Sequence, residues 1–165
     1  MTPIDFVVSG TGHRPNKLGG YSDANTAFLS TIAETWLKAN TPAKVISGMA
    51  LGWDMSLALA TLRLNMRLVA AVPFEGQEST WPERSQKLYR EVLNKASKVV
   101  LVTAGGYAPW KMHLRNQWMV DNCDKVLALY NGDPTGGTAN CIRYAMLKNK
   151  PVDNVWDEYV RCKPS

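Results

Sequence analysis

The chain is poor in the groups that make crosslinks and metal sites. Its 165 residues include only three cysteines, Cys123, Cys141 and Cys162, and two histidines. The cysteines are odd in number and scattered, with no C-x-x-C pair. That argues against a disulfide framework or a zinc centre, so no metal is expected and a reducing, cytoplasmic setting is. Long apolar runs are also missing. The longest, Leu68–Phe74 and Val99–Val102, fall far short of the roughly 20 residues that span a bilayer, so no membrane partner is expected. The opening residues, MTPIDFVVSGTG, lack a basic start and pass directly into a strand-like run, unlike a signal peptide. Internal repeats, low-complexity tracts and linker-like segments are absent, and so is a G-x-G-x-x-G dinucleotide fingerprint.

What is present is an ordinary globular composition, 45% apolar and 20% charged, with a net charge of +5 that suits a phosphate-bearing ligand. Strand-like and helix-like segments alternate. Phe6–Ser9, Lys44–Ile46, Leu68–Val72, Lys98–Val102, Lys125–Leu129 and Val152–Trp156 read as strands. Helices are expected over Asp23–Asn40, Asp54–Leu64, Pro82–Lys95, Met112–Asn122 and Thr138–Asn149. In the first of these the inward stripe reads as Ala27, Phe28, Thr31, Ile32, Thr35 and Trp36. Apolar strands between amphipathic helices imply a mainly parallel sheet covered on both faces. The expectation is therefore a single doubly wound α/β domain over residues 1–165. Ligands of such sheets sit beyond the carboxyl ends of the strands, where the strand order reverses.

Most of the conspicuous glycines, charges and tryptophans fall in those loops. SGTGHRP follows the first strand: Gly10, Thr11 and Gly12 permit a tight turn, while His13 and Arg14 bring donors, Arg14 as a fork for phosphate. SGMALGWD runs from strand through Gly48 into a helix start, with Asp54 as a helix cap, a ribose acceptor or a general base. PFEGQESTWP holds Glu75, Glu78 and Trp81, a set able to read a sugar and stack a base. KMHLRNQWMVDNCD places His113, Arg115 and Asn116 near an expected helix N-terminus. A cation there opposes the helix dipole, which argues that Arg115 is kept for an anion. NGDPTGGTANC sets Gly136, Gly137 and Thr138 at a helix start as a phosphate cradle, with Asn140 positioned to bond a sugar.

Taken together, TGHRPNKLGGY, GMALGWD, AVPFEGQESTWP, RNQWMVD and GGTAN resemble the SLOG superfamily, in the branch of YpsA/YspA-type proteins of bacteria and their phages. The resemblance spans nearly the whole chain and implies a Rossmann-like domain that binds nucleotides or nucleotide-derived ligands. The superfamily is related to cytokinin-activating phosphoribohydrolases and to the DNA-processing protein DprA. The phosphoribohydrolases carry M-H-x-R-K and P-G-G-x-G-T-x-E-E segments. Met112, His113 and Arg115 match the first, with Asn116 in place of lysine; Gly137 and Thr138 match the second, with Asn140 and Cys141 in place of its glutamates.

The resulting expectation is a pocket that holds a nucleotide-class ligand for sensing, sequestration or regulation, without a cofactor. Gly136, Gly137, Thr138 and Arg115 would hold phosphate, Asp54 and Glu78 ribose, and Trp81 or Trp110 the base. The alternatives are an N-glycoside hydrolase acting on nucleoside monophosphates, with Asp54, Glu75 or Glu78 as its acid, and single-stranded nucleic-acid binding, which the scattered basic residues disfavour. A homodimer is also expected, from the habit of phosphoribohydrolase-like relatives.

Overall fold

The computed structural model describes residues 5–164. Six strands, β1 (Val7–Gly12), β2 (Lys44–Ser47), β3 (Arg67–Val72), β4 (Lys98–Leu101), β5 (Lys125–Leu129) and β6 (Val152–Asn154), form one sheet in the order β4-β3-β2-β1-β5-β6. Every pairing is parallel. The connecting helices are α1 (Asp23–Asn40), α2 (Trp53–Arg63), α3 (Glu83–Lys95), α4 (Pro109–Asp121) and α5 (Gly136–Leu147), and α6 (Trp156–Cys162) follows β6. The α/β architecture is thus as the sequence implies, with the sheet wholly parallel.

Alternation along the strands sorts the core into two faces. Val45 and Leu127 pack with Leu29, Ile32 and Leu37 of α1 and Leu57 of α2. Their neighbours Ile46 and Val126 point the other way, against Met119 and Val120 of α4 and Cys141 and Ala145 of α5. A third cluster joins Leu68 and Ala70 to Met55 and Ala58 of α2 and to Tyr89 and Val92 of α3. No helix of the described residues is long and apolar enough to cross a membrane.

Several boundaries differ from the sequence reading, each for a physical reason. β1 does not stop at Ser9. Gly10, Thr11 and Gly12 continue the ladder opposite Leu127, Ala128 and Leu129 of β5, because β5 runs on past the point where the pairing with β2 ends at Ser9. α4 starts at Pro109, three residues before the expected Met112, since proline at the first helical position loses no hydrogen bond. α5 starts at Gly136, and Pro82 is the residue before α3, not its first. The inward face of α1 is Leu29, Ile32, Ala33 and Leu37, with Phe28 and Trp36 at its flanks; Ala27, Thr31 and Thr35 are exposed. The two threonines instead bond the carbonyls of Ala27 and Thr31 one turn back. A short 3₁₀ turn at Pro15–Lys17 and helix α6 were not foreseen.

Candidate functional site

The strand order reverses between β1 and β5, because β2, β3 and β4 lie successively on one side of β1 and β5 and β6 on the other. Beyond the carboxyl ends of these strands opens a cavity of about 400 Å³. Its floor is the end of β1, Gly10–Gly12, with Ala50 and Asp54 from the β2–α2 connection. One wall carries His13, Arg14 and Lys17. The starts of α4 and α5 complete the lining, the latter reached from the loop whose Asp133 pairs with Lys17.

The α5 start leaves its first backbone amides open toward the cavity. Thr135 precedes the helix in extended conformation but does not cap it: its hydroxyl donates to Asp133 at 2.8 Å. The first amides, of Gly136, Gly137 and Thr138, are left without a side-chain cap and border the cavity, at the positive end of the helix dipole. Gly136 has φ of +93°, and a β-carbon on Gly136 or Gly137 would meet nothing within 4 Å. Arg14, which also lines the cavity, is exposed, and no carboxylate among the described residues lies within ion-pair distance of it. Lys17 pairs with Asp133 at 3.4 Å.

Arg115 borders the cavity, but not from the helix start that its sequence position implied. Because α4 begins at Pro109, Arg115 lies in the second turn and not at the helix start. The dipole argument for an anion at Arg115 therefore fails. Its side chain is 3% exposed. One terminal nitrogen donates to the Gly48 carbonyl and, at 3.3 Å, to that of Ala71, so it ties β2 to β3; Nε donates to Asn116 Oδ1 at 2.9 Å. Asp54 lies alongside, 8% exposed, and accepts from the Ala50 amide at 3.4 Å. Burial pushes the Asp54 carboxyl up, with Arg115 opposing that shift, and burial lowers Arg115. Gly48 is small because both approach it: a β-carbon there would lie 2.7 Å from the guanidinium and 2.8 Å from Asp54 Oδ2.

His13 is a buried ring whose Nε2 accepts the Asn131 amide at 3.1 Å, which leaves Nδ1 as its only possible donor. Burial holds its pKa below the ordinary histidine value, so it adds no full charge at neutral pH. With Oδ1 committed to Arg115, Asn116 turns an N–H donor toward its surroundings.

Several residues singled out in the sequence do not line this cavity, Gly48 among them, since Arg115 and Asp54 cover it. Glu75 is exposed, and Glu78 faces Arg90 at 3.8 Å. Trp81 packs edge-on against Tyr89 and belongs to the α2–α3 core. Asn140 is exposed and accepts from Arg143, while Cys141 is buried in the α4–α5 core, its thiol pushed up to about 11 by burial. On a helix, a residue two positions past Thr138, as Asn140 is, turns away from the face that Thr138 presents. Trp110 is also outside the cavity, 59% exposed. Residues that sequence reasoning missed are Lys17, Ala50, Tyr107 and Thr135, which border the cavity. The carboxyl-end rule pointed to the loop that holds Tyr107, but the tryptophans on either side drew the attention.

The family model that describes the YspA SLOG family matches residues 8–157. The SPbeta prophage-derived protein YoqJ of Bacillus subtilis is 29% identical over 134 residues, covering 72% of this chain and 77% of YoqJ. A UPF0398 protein of Halalkalibacterium halodurans is 28% identical over 156 residues, covering 87% of this chain and 82% of its own. Among solved structures, DNA processing protein A of Helicobacter pylori, a single-stranded DNA binder, superposes with a TM-score of 0.65 at 18% identity, over 95% of this chain and 72% of that one. DNA processing protein A of Streptococcus pneumoniae gives a TM-score of 0.53 at 14% identity, over 96% and 62%. At such identities the structural likeness speaks for the fold, whereas the family match runs from β1 to the start of α6, and the chain belongs to the YspA SLOG family.

Proposed function

We propose that this chain binds a nucleotide-class ligand, with its phosphate on the α5 start. The observation that carries this reading is the uncapped helix N-terminus of Gly136, Gly137 and Thr138, which borders the cavity that the free guanidinium of Arg14 also lines. Asp54 would accept hydroxyl hydrogens of a sugar, and the Asn116 amide would donate to its oxygens. Tight binding serves sensing, sequestration or regulation of a partner equally well.

Gly137→Asp separates binding from folding. The added carboxylate enters open space at the second helical residue, where a negative charge favours the helix by about 0.3–1 kcal/mol. It also occupies the place of the phosphate. Calorimetric titration with the four ribonucleoside 5′-monophosphates should show affinity reduced by about a hundredfold or more, with an undiminished melting temperature. Equal affinity in the variant would remove the α5 start from the site.

One observation favours a second reading, N-glycoside cleavage. Asp54 is a carboxylate in the cavity, and burial raises its pKa, as a general acid needs. Its commitment to the Ala50 amide and its place beside Arg115 favour binding instead. Free base released from the same nucleotides at about 1 per second or faster, and lost in Asp54→Asn, would establish the hydrolase.

The single-stranded DNA binding of the Helicobacter protein uses related chemistry, since a strand offers phosphate and base in series. Here the free amides and the free cation border one cavity, which favours a mononucleotide. We also propose that the chain self-associates. Val99 and Leu101 on the edge strand β4, and Trp110 and Leu114 one turn apart on α4, are exposed apolar side chains. Light scattering at micromolar concentration is expected to give the mass of a dimer, and a monomer mass would refute this.

A further inference from the structure

The β4–α4 loop is firmly held, yet it presents a bare aromatic ring. Thr103 Oγ1 donates to the Pro73 carbonyl at 2.8 Å, and the Gly105 carbonyl accepts the Glu75 amide at 2.9 Å. Lys111, only 9% exposed, turns its ammonium inward onto the carbonyls of Ala104 and Gly106, both at 2.7 Å. A buried ammonium is costly unless it is fully hydrogen-bonded, so this arrangement fixes the loop at a real desolvation cost. Within the braced segment Tyr107 is 70% exposed and borders the cavity, its ring backed edge-on by Phe74 with centroids 5.4 Å apart. Apart from its edge-on contact with Phe74, most of this ring is open to solvent.

The sheet order places this ring relative to the anion site. Tyr107 follows β4, at one edge, and Phe74 follows β3; the α5 start follows β5, beyond β1 on the far side. Between them lie the ends of β1 and β2 with Asp54. Pro109 and Met112 give the Tyr107 end of the cavity an apolar lining. From the α5 side to the β4 side, the cavity therefore offers amides and a cation, then polar groups, then an apolar and aromatic wall.

We infer that Tyr107 is the stacking platform for a flat aromatic ring of the ligand, and that the site is specific for nucleoside monophosphates over sugar phosphates or inorganic phosphate. This rests on the phosphate reading of the α5 start and adds to it the opposite end of the ligand and its orientation. Stacking uses the face of the ring and not the hydroxyl, and tolerates any of the common bases.

The test is calorimetric titration of the full chain with the four ribonucleoside 5′-monophosphates and, separately, with ribose 5-phosphate. The wild type should bind at least one nucleotide more tightly than ribose 5-phosphate. Tyr107→Ala should weaken that nucleotide by about five- to a hundredfold, the range for loss of base–aromatic stacking, and leave ribose 5-phosphate unchanged. Tyr107→Phe should retain nucleotide affinity. The exposed position of Tyr107 means that both variants should melt with the wild type. Equal affinity for ribose 5-phosphate and every nucleotide, or nucleotide binding unaffected by Tyr107→Ala but lost in Gly137→Asp, would overturn the stacking role while keeping the phosphate site. Failure of both ligand types to bind the wild type would overturn both.

Discussion

Replacing Arg115 with alanine is expected to remove about 3–5 kcal/mol of folding stability, the cost of breaking a buried charged network by deleting one partner. The guanidinium bridges the carbonyls of Gly48 and Ala71 and fixes Asn116, so alanine takes a charged donor from both carbonyls and leaves that of Gly48 with the Gln77 amide, at 3.0 Å. It also strips Asp54 of the charge that most opposes its desolvation. A single domain has only about 5–15 kcal/mol in total, so the variant is expected to sit near its unfolding threshold. The loss should depend on pH. Removing Arg115 pushes the Asp54 carboxyl further up from its already raised position. A carboxyl raised in the folded state gives its full contribution below the unfolded value of about 3.9 and loses it as pH rises through the folded value. The deficit of Arg115→Ala relative to wild type should therefore be smaller at low pH than at high pH. Asp54→Asn in the same chain should recover part of the stability, because an amide avoids the buried charge. Urea unfolding at several pH values measures all of this. A variant as stable as wild type would show that Arg115 is not the brace between β2 and β3.

A second large effect is expected where β1 meets α2. Trp53 has no exposed surface, and its indole N–H donates to the Leu127 carbonyl at 3.3 Å. Gly12 lies directly against it: a β-carbon there would come within 2.5 Å of Trp53 Cδ1 and 2.6 Å of its Cβ and Cγ. Gly12→Ala should cost about 1–3 kcal/mol or more by overpacking, since the ring is walled in by the α1–α2 core. Trp53→Ala should cost about 3–5 kcal/mol by leaving a cavity. The pair should be strongly non-additive, because Gly12→Ala in the Trp53→Ala background meets a void and not a ring. Strict additivity in a double-mutant cycle would contradict the contact. In the sequence, Trp53 sat within a ligand motif, ALGWD; the fold uses it to hold the cavity floor level from below.

The sequence by itself determined the alternation of strands and helices, the parallel sheet, and the side of that sheet on which a ligand would lie. These follow from local rules: apolar runs too short for anything but buried strands, helical spacing between them, and glycines at strand ends. It also picked out Gly10–Arg14, Asp54, Arg115, Asn116 and Gly136–Thr138, which border one cavity; the last three were legible because backbone amides at a glycine-rich helix start need no distant partner to be recognised. Tertiary structure alone decided the rest. The bracing role of Arg115 was not legible, because it depends on where α4 starts and on what the side chain packs against. Only packing against Gly48 and Ala71, 67 and 44 residues away, shows it bracing the floor. Trp81 and Glu78 sat in the expected loop, but an indole finds its partner by burial, here Tyr89, and a carboxylate by the nearest cation, here Arg90. Asn140 shares a helix with Thr138 but not a face. Tyr107 carries no local signal at all, since its exposure over the cavity depends on a loop held by Lys111, Thr103 and the backbone of Glu75. Spacing along a chain reports which residues can share an element. The direction in which a long side chain turns is set by whatever the fold brings against it.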